Sequence, residues 1–277
     1  MRIESLGDLM RSPPKEYRFI EPLHDVQMTD YALEKAFRIS KLVKKVHRQS
    51  VEWYGFMIAD IEDPYLTIDV GLPQNATNAH AYTGITAQQI DAFQRGLPPD
   101  RIVNGWIHSH ADLNYRQFSG TDLANHWTVL DYVGSVIKEA VSKREIRIDD
   151  LSRLVQDQLD ERDMRQGSLS LVTDVPVDEV ALFEQIMGSS AYAVVIGDEG
   201  WSCQEVIHKE YGLVTGATTY NRQSDIDEVG LVIEQSGVRM TWKEQRMLKK
   251  QVKHCIRPQY RGLMQRLGVS GYDRRKA

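Results

Sequence analysis

Two histidines separated by one serine, His108-Ser109-His110, close an apolar run, RIVNGWIH, that reads as a strand over 101–108. Alternation along a strand puts residues i and i+2 on one side, so both imidazoles can face one cation. Asp122 follows after eleven intervening residues, at the start of a helical pattern, and a loop that folds back brings its carboxylate to the same point. Two imidazoles and one carboxylate, with a fourth position left for water, make a catalytic rather than a structural zinc shell. Zinc in such a shell lowers the pKa of its water towards about 7. That water needs a general base, most naturally a carboxylate held beside it. Glu52, which opens a strand of the same sheet in Glu52-Trp53-Tyr54-Gly55, is the candidate.

The elements that must position these groups are legible from periodicity. EYRFIEP at 16–22 reads as a short strand. Between Thr29, a plausible N-cap, and Arg48 the apolar residues Tyr31, Leu33, Ala36, Ile39, Leu42, Val43 and Val46 recur at helical spacing. Two β-rich runs follow at 51–60 and 65–73, a hairpin or meander. A helix is expected over Ile85–Arg95, closed by Gly96 and Pro98-Pro99. Helical spacing returns after Asp122 through Leu123, Trp127, Leu130 and Val133. The charge-dense stretch 135–167 reads as a solvated amphipathic helix pair, and 191–197 and 202–212 as strands. Thr241-Trp242-Lys243-Glu244 has the capping-box form and opens a basic helix ending near Pro258.

With these elements in place, the chain resembles the JAMM (JAB1/MPN/Mov34) zinc metallopeptidases. The resemblance rests on Glu52-x-x-Gly55, His108-Ser109-His110 and Ser119-Gly120-Thr121-Asp122, and on the order of strands and helices around them over 16–127 and 191–212. It implies a mixed α/β fold, a mostly antiparallel twisted sheet flanked by helices. It also implies one zinc on His108, His110 and Asp122, Glu52 as general base and Ser119 as a stabiliser of the oxyanion. The implied substrate is a peptide or isopeptide bond at the C-terminal tail of a ubiquitin-like protein. Three departures stand out. Eleven residues rather than the usual ten precede Asp122, Ala111 stands where Pro often follows the second His, and Ala124 replaces the His that binds a second zinc in some members. The alternative is a scaffold of the same fold that organises an assembly around a non-catalytic metal.

The 277 residues, 42% hydrophobic and 26% charged, suit a soluble globular protein of one elaborated domain, or one domain with a smaller appendage. The division expected is a leader at 1–15, the metallopeptidase domain at 16–220 with a helical insertion near 128–190, and a basic helical extension at 221–277. The insertion would shape substrate access. No apolar run is long enough to span a membrane and no secretory signal opens the chain, so a cytoplasmic protein is expected. Two distant cysteines, Cys203 and Cys255, exclude a disulfide framework. The net charge of −5 hides an asymmetry, because residues 239–277 carry twelve Lys/Arg against two Asp/Glu, leaving −15 for the rest. The plainest reading of that tail is a solvated helix that partly packs. Docking on the acidic body or a protein partner comes next, and nucleic-acid binding last.

Among other residues, His126 shares the Asp122 face and reads first as a helix-surface histidine, with a role in holding the ligands second. His80, His208 and His254 stand alone, and Asn75-Ala76-Thr77 matches a glycosylation sequon by chance. A zinc deaminase would need H-x-E with P-C-x-x-C, and a zincin H-E-x-x-H; both are absent.

Overall fold

The computed structural model describes residues 15–74, 84–113, 115–146, 169–173, 180–224 and 229–257. The sequon at Asn75, His80, most of the expected leader, the middle of the expected insertion and the chain beyond Arg257 lie outside them. The fold is mixed α/β, with most strand pairs antiparallel and four helices among the described residues. None of those helices is long and apolar enough to cross a membrane. The chain divides into two compact units, the first His24–Val133, Ala191–Ile207 and Arg222–Ala277, the second Met1–Leu23, Gly134–Ser190 and His208–Asn221.

The first unit carries all the metal-site candidates. Its strands are β2 (Val26–Thr29), β3 (Tyr54–Asp60), β4 (Leu66–Gly71), β5 (Arg101–Ser109), the end of β8 (Val180–Ile196), the start of β9 (Ser202–Gly212) and β11 (Leu231–Glu234). They run in the order β8-β5-β3-β4-β2-β11. Strand β3 lies antiparallel between β4 and β5, whereas β5 with β8, β2 with β4 and β11 with β2 are parallel. Six of the seven β3 residues are buried, and Phe56 and Met57 are fully enclosed. Near-continuous apolar strands of this kind belong to a sheet covered on both faces.

Helix α1 (Asp30–His47) starts where expected, with the Thr29 hydroxyl accepting from Ala32 N at 3.2 Å. Asp30 in its first turn and Lys44 and Lys45 in its last complement the helix dipole. Its inner face, Ala32, Ala36, Ile39 and Val43, lies on β2 and β4. Helix α2 (Ala87–Gln94) is opened by a Thr86/Gln89 capping box. Helix α4 (Trp242–Cys255) has the expected Thr241/Glu244 capping box and packs against α1, burying Leu248, Val252 and Cys255. Strand β11 and α4 are thus built into this unit, and the boundary expected at residue 220 falls inside β10 (Thr218–Ser224).

Backbone approach sets the β5–β8 contact. A Cβ on Gly105 would meet the Tyr192 carbonyl oxygen at 2.5 Å and its Cβ at 2.9 Å, across the pair Gly105↔Tyr192. Gly105→Ala is expected to cost about 1–3 kcal/mol in denaturant unfolding, since rigid backbone rather than a flexible side-chain tip must move. An unchanged unfolding midpoint would refute this close approach.

The second unit corrects the expected helical insertion. Residues Glu139–Ile146 form strand β6, not a helix, paired antiparallel with the first half of β8 and with β1 (Glu16–Arg18). Strand β7 (Leu169–Thr173) also pairs with β8. The misleading feature is charge: Glu139, Lys143, Arg144 and Glu145 resemble a solvated helix. Yet Ser142 and Ile146 are buried, and Arg144 donates to the buried carboxylate of Glu184 at 2.9 Å. Glu184 also accepts from Thr215 N at 2.9 Å and from its hydroxyl at 2.8 Å. A strand partner forty residues away, invisible to local periodicity, decides the conformation.

Candidate metal centre

Strand β5 delivers Trp106 and His108 to one side of the sheet by alternation, and His110 continues that side one step beyond the strand. Helix α3 (Gly120–Val136) brings Asp122 in its first turn. Ser119 caps this helix reciprocally: its hydroxyl accepts from Asp122 N at 3.2 Å while Asp122 Oδ2 accepts from Ser119 N at 2.7 Å. The S-x-x-D spacing therefore fixes the carboxylate before any metal is considered.

The three ligand candidates converge. His108 Nε2 lies 3.1 Å from His110 Nε2 and 3.4 Å from Asp122 Oδ1, and His110 Nε2 lies 3.8 Å from Asp122 Oδ2. Ligands about 2.0–2.1 Å from a tetrahedral zinc are about 3.3 Å apart, so this triangle has the dimensions of one tetrahedral face. All three residues are buried, and together they can hold a metal ion. The His110 Nδ1–H donates to the Tyr115 carbonyl at 2.7 Å, which leaves the Nε2 lone pair directed at the shared point. The His108 ring is oriented by stacking on Trp106, with centroids 4.5 Å apart and planes within 7°. Tyr115 stacks at 5.6 Å on His110, and Trp201 meets it edge-on at 6.2 Å.

Electrostatics follow from this enclosure. Burial opposes ionisation of Asp122, but the hydrogen bonds from His108 and His110 outweigh it and hold the carboxyl far below its ordinary range. Burial pushes the His108 imidazole down, only partly offset by Asp122. For His110 burial is overcome by Asp122, the Tyr115 carbonyl and the charge of Glu52, and the net shift is upward. A buried carboxylate facing two imidazoles at these distances is an arrangement that can accept a cation.

Glu52 lies just before β3 and is half-buried. The register Tyr54↔His108, extended by Ser109 N donating to Trp53 O at 2.9 Å, sets Glu52 across from His110. Directly paired residues of antiparallel strands share a side, so Glu52 belongs to the ligand side. Two anchors hold its backbone. Trp53, fully buried, donates from Nε1 to Ser40 Oγ of α1 at 2.9 Å, and Ser50 Oγ donates to Asp198 Oδ2 at 2.5 Å. Asp198 N in turn donates to the Ala111 carbonyl at 2.9 Å, so the Glu52 segment and the turn after His110 share one tether.

Ala111 has φ +54°, a left-handed conformation rare for a residue with a side chain. A prolyl ring locks φ near −65°, so the Pro common at this position in the resembled family is incompatible with this turn.

Sequence reasoning missed a buried group behind the ligands. His126 is fully enclosed rather than on the helix surface, which corrects the first reading of it. Its Nδ1 lies 2.9 Å from Glu205 Oε2 on β9, and its Nε2 3.0 Å from the Ala191 carbonyl. Both ring nitrogens therefore face oxygen atoms. Arg222 Nε donates to the other Glu205 oxygen. The helix-face spacing from Asp122 was a usable signal for burial; Glu205, 79 residues further along the chain, gave none. Removing one member of a fully buried pair strands its partner, so Glu205→Ala should cost about 3–5 kcal/mol in denaturant unfolding. A loss below about 1 kcal/mol would show that the pair does not hold α3 in place.

No family model and no curated protein matches this chain.

Proposed function

We propose that this chain is a zinc-dependent peptidase or isopeptidase of the JAMM/MPN type. Its proposed substrate is an extended C-terminal tail of a ubiquitin-like protein. The observation that carries the reading is the conjunction of the His108–His110–Asp122 triangle with the register that sets Glu52 opposite His110. A metal triad alone fits many roles, whereas a carboxylate fixed beside an incomplete shell fits hydrolysis.

In this reading His108, His110 and Asp122 hold the zinc, for which two imidazoles and a carboxylate are a suitable donor set. The metal's contribution when bound is Lewis acidity, which polarises the scissile carbonyl and acidifies water at neutral pH. Glu52 takes a proton from the attacking water and returns it to the departing amine. Ser119 caps α3 through its oxygen lone pairs, and its hydroxyl hydrogen is the group available to the developing oxyanion. Leu113 and Tyr115, both about half exposed, belong to the loop that leaves the site and offer apolar surface to an incoming tail.

The test is metal analysis of the purified full-length protein together with hydrolysis of ubiquitin-like tails carrying a fluorogenic leaving amine. About one zinc per chain and chelator-sensitive cleavage are expected. Metal without cleavage would favour a metal-holding scaffold, and absence of zinc would overturn the reading.

A further inference from the structure

Helix α4 contributes nothing to the metal centre, yet its surface is the most one-sided in charge among the described helices. Its buried residues, Leu248, Val252 and Cys255, lie on one side of the helical wheel and face α1. At 100° per residue the opposite side is made by Lys243, Arg246, Lys250 and Lys253, with Lys249 at its margin. All five are exposed, and none has a carboxylate partner among the described residues. The one acid of the helix, Glu244, is turned away into the Thr241 cap, with its Oε2 2.6 Å from Thr241 N. At the start of the same helix stands Trp242, 70% exposed, with the Arg246 guanidinium 4.6 Å from its ring.

Packing fixes this orientation: the helix cannot roll its basic row inward without exposing Leu248 and Val252. Five cations with no carboxylate partner among the described residues, along roughly 15 Å of helix, repel one another and suit an anionic partner. Three partner chemistries carry such charge. Insertion into an anionic bilayer needs an apolar helix face, and here that face is occupied by α1. Protein interfaces are built around an apolar core and are depleted in lysine, whereas four of these five cations are lysines. A lysine row without an apolar core, flanked by one exposed aromatic, fits a phosphate backbone with a base stacked at its end.

We propose that the outer face of α4 is a binding surface for single-stranded nucleic acid. Lys243, Arg246, Lys249, Lys250 and Lys253 neutralise successive phosphates, and Trp242 stacks on a base. The inference is independent of the hydrolytic reading, since it uses no residue of the metal centre. Because the whole chain carries a net −5, attraction is local to this face and is felt within about a Debye length of 8–10 Å.

The experiment is fluorescence anisotropy of a labelled oligothymidine titrated with the full-length protein at several salt concentrations. Neutralising five phosphates on a single strand predicts a slope of log K against log salt of about −3.5. The triple variant Lys243→Glu, Arg246→Glu, Lys250→Glu alters only exposed positions and should weaken binding by about 100-fold or more. Trp242→Ala should weaken it by about 10-fold with the salt slope unchanged, because stacking is not ionic. Circular dichroism and the unfolding midpoint of each variant report whether the fold survives. No binding at about 50 mM salt would overturn the proposal. So would binding that the folded triple variant retains. If polyglutamate or vesicles of anionic phospholipid compete as well as the oligonucleotide, with Trp242 immaterial, the surface is a general anion site and the nucleic-acid assignment fails.

Discussion

Replacing Glu52 by Gln should leave zinc bound at about one per chain while cleavage of a ubiquitin-like tail falls by about 10²–10⁴-fold. The substitution keeps shape but removes the carboxylate charge, and with it the ability to take and return a proton. The backbone keeps its anchors at Ser50 to Asp198 and at Trp53 to Ser40 and Ser109. Glu52 contributes negative charge near His110, so its loss changes the surroundings of one ligand. It is not itself within the ligand triangle of His108, His110 and Asp122, and the metal should remain. The comparison that decides is cleavage rate against zinc content in the same preparation. Full activity with zinc present would remove Glu52 from the mechanism, and loss of both would make it a ligand-supporting residue instead.

The site was more legible in the sequence than the fold around it, for physical reasons. His108 and His110 are related by strand alternation, and Asp122 to Ser119 by a helix cap; both relations span a few residues and depend on backbone geometry alone. Glu52 became placeable once β3 and β5 were taken as neighbours, since one register locates it against His110. The helices α1 and α4 were readable at their starts, because Thr29 and Thr241 cap them through local hydrogen bonds. What failed was whatever depends on a distant partner. Strand β6 carries four charges in eight residues and has no local strand signature; its pairing with β8 and the Arg144–Glu184 contact decide its form. His126 looked like a surface residue because Glu205 and Arg222, which enclose it, are contributed by later strands. The parallel pairs β5–β8 and β2–β4 were unreadable for the same reason, since they join segments far apart in sequence.

Metal binding should stabilise the folded chain, and Asp122→Asn should abolish that gain without unfolding the protein. A ligand that binds only the native state adds about 2.7 kcal/mol at a free concentration 100 times its Kd. For a chain of this size each kcal/mol raises Tm by about 2–4 °C, so the parent should melt roughly 5–10 °C higher with zinc than after chelation. Asparagine retains the oxygen that accepts from Ser119 N, so the cap of α3 survives. A neutral amide oxygen, however, is a poor substitute for the carboxylate that lies 3.4 Å and 3.8 Å from the two imidazoles. The variant should therefore melt cooperatively with no zinc-dependent shift. Cys203 and Cys255, buried in the native state, become metal ligands on unfolding and oppose the effect, so the titration belongs at low micromolar zinc. An equal shift in parent and variant would place the bound metal away from the His108–His110–Asp122 centre. If chelation left the parent's Tm unchanged while zinc was present, the metal would be bound without coupling to the fold.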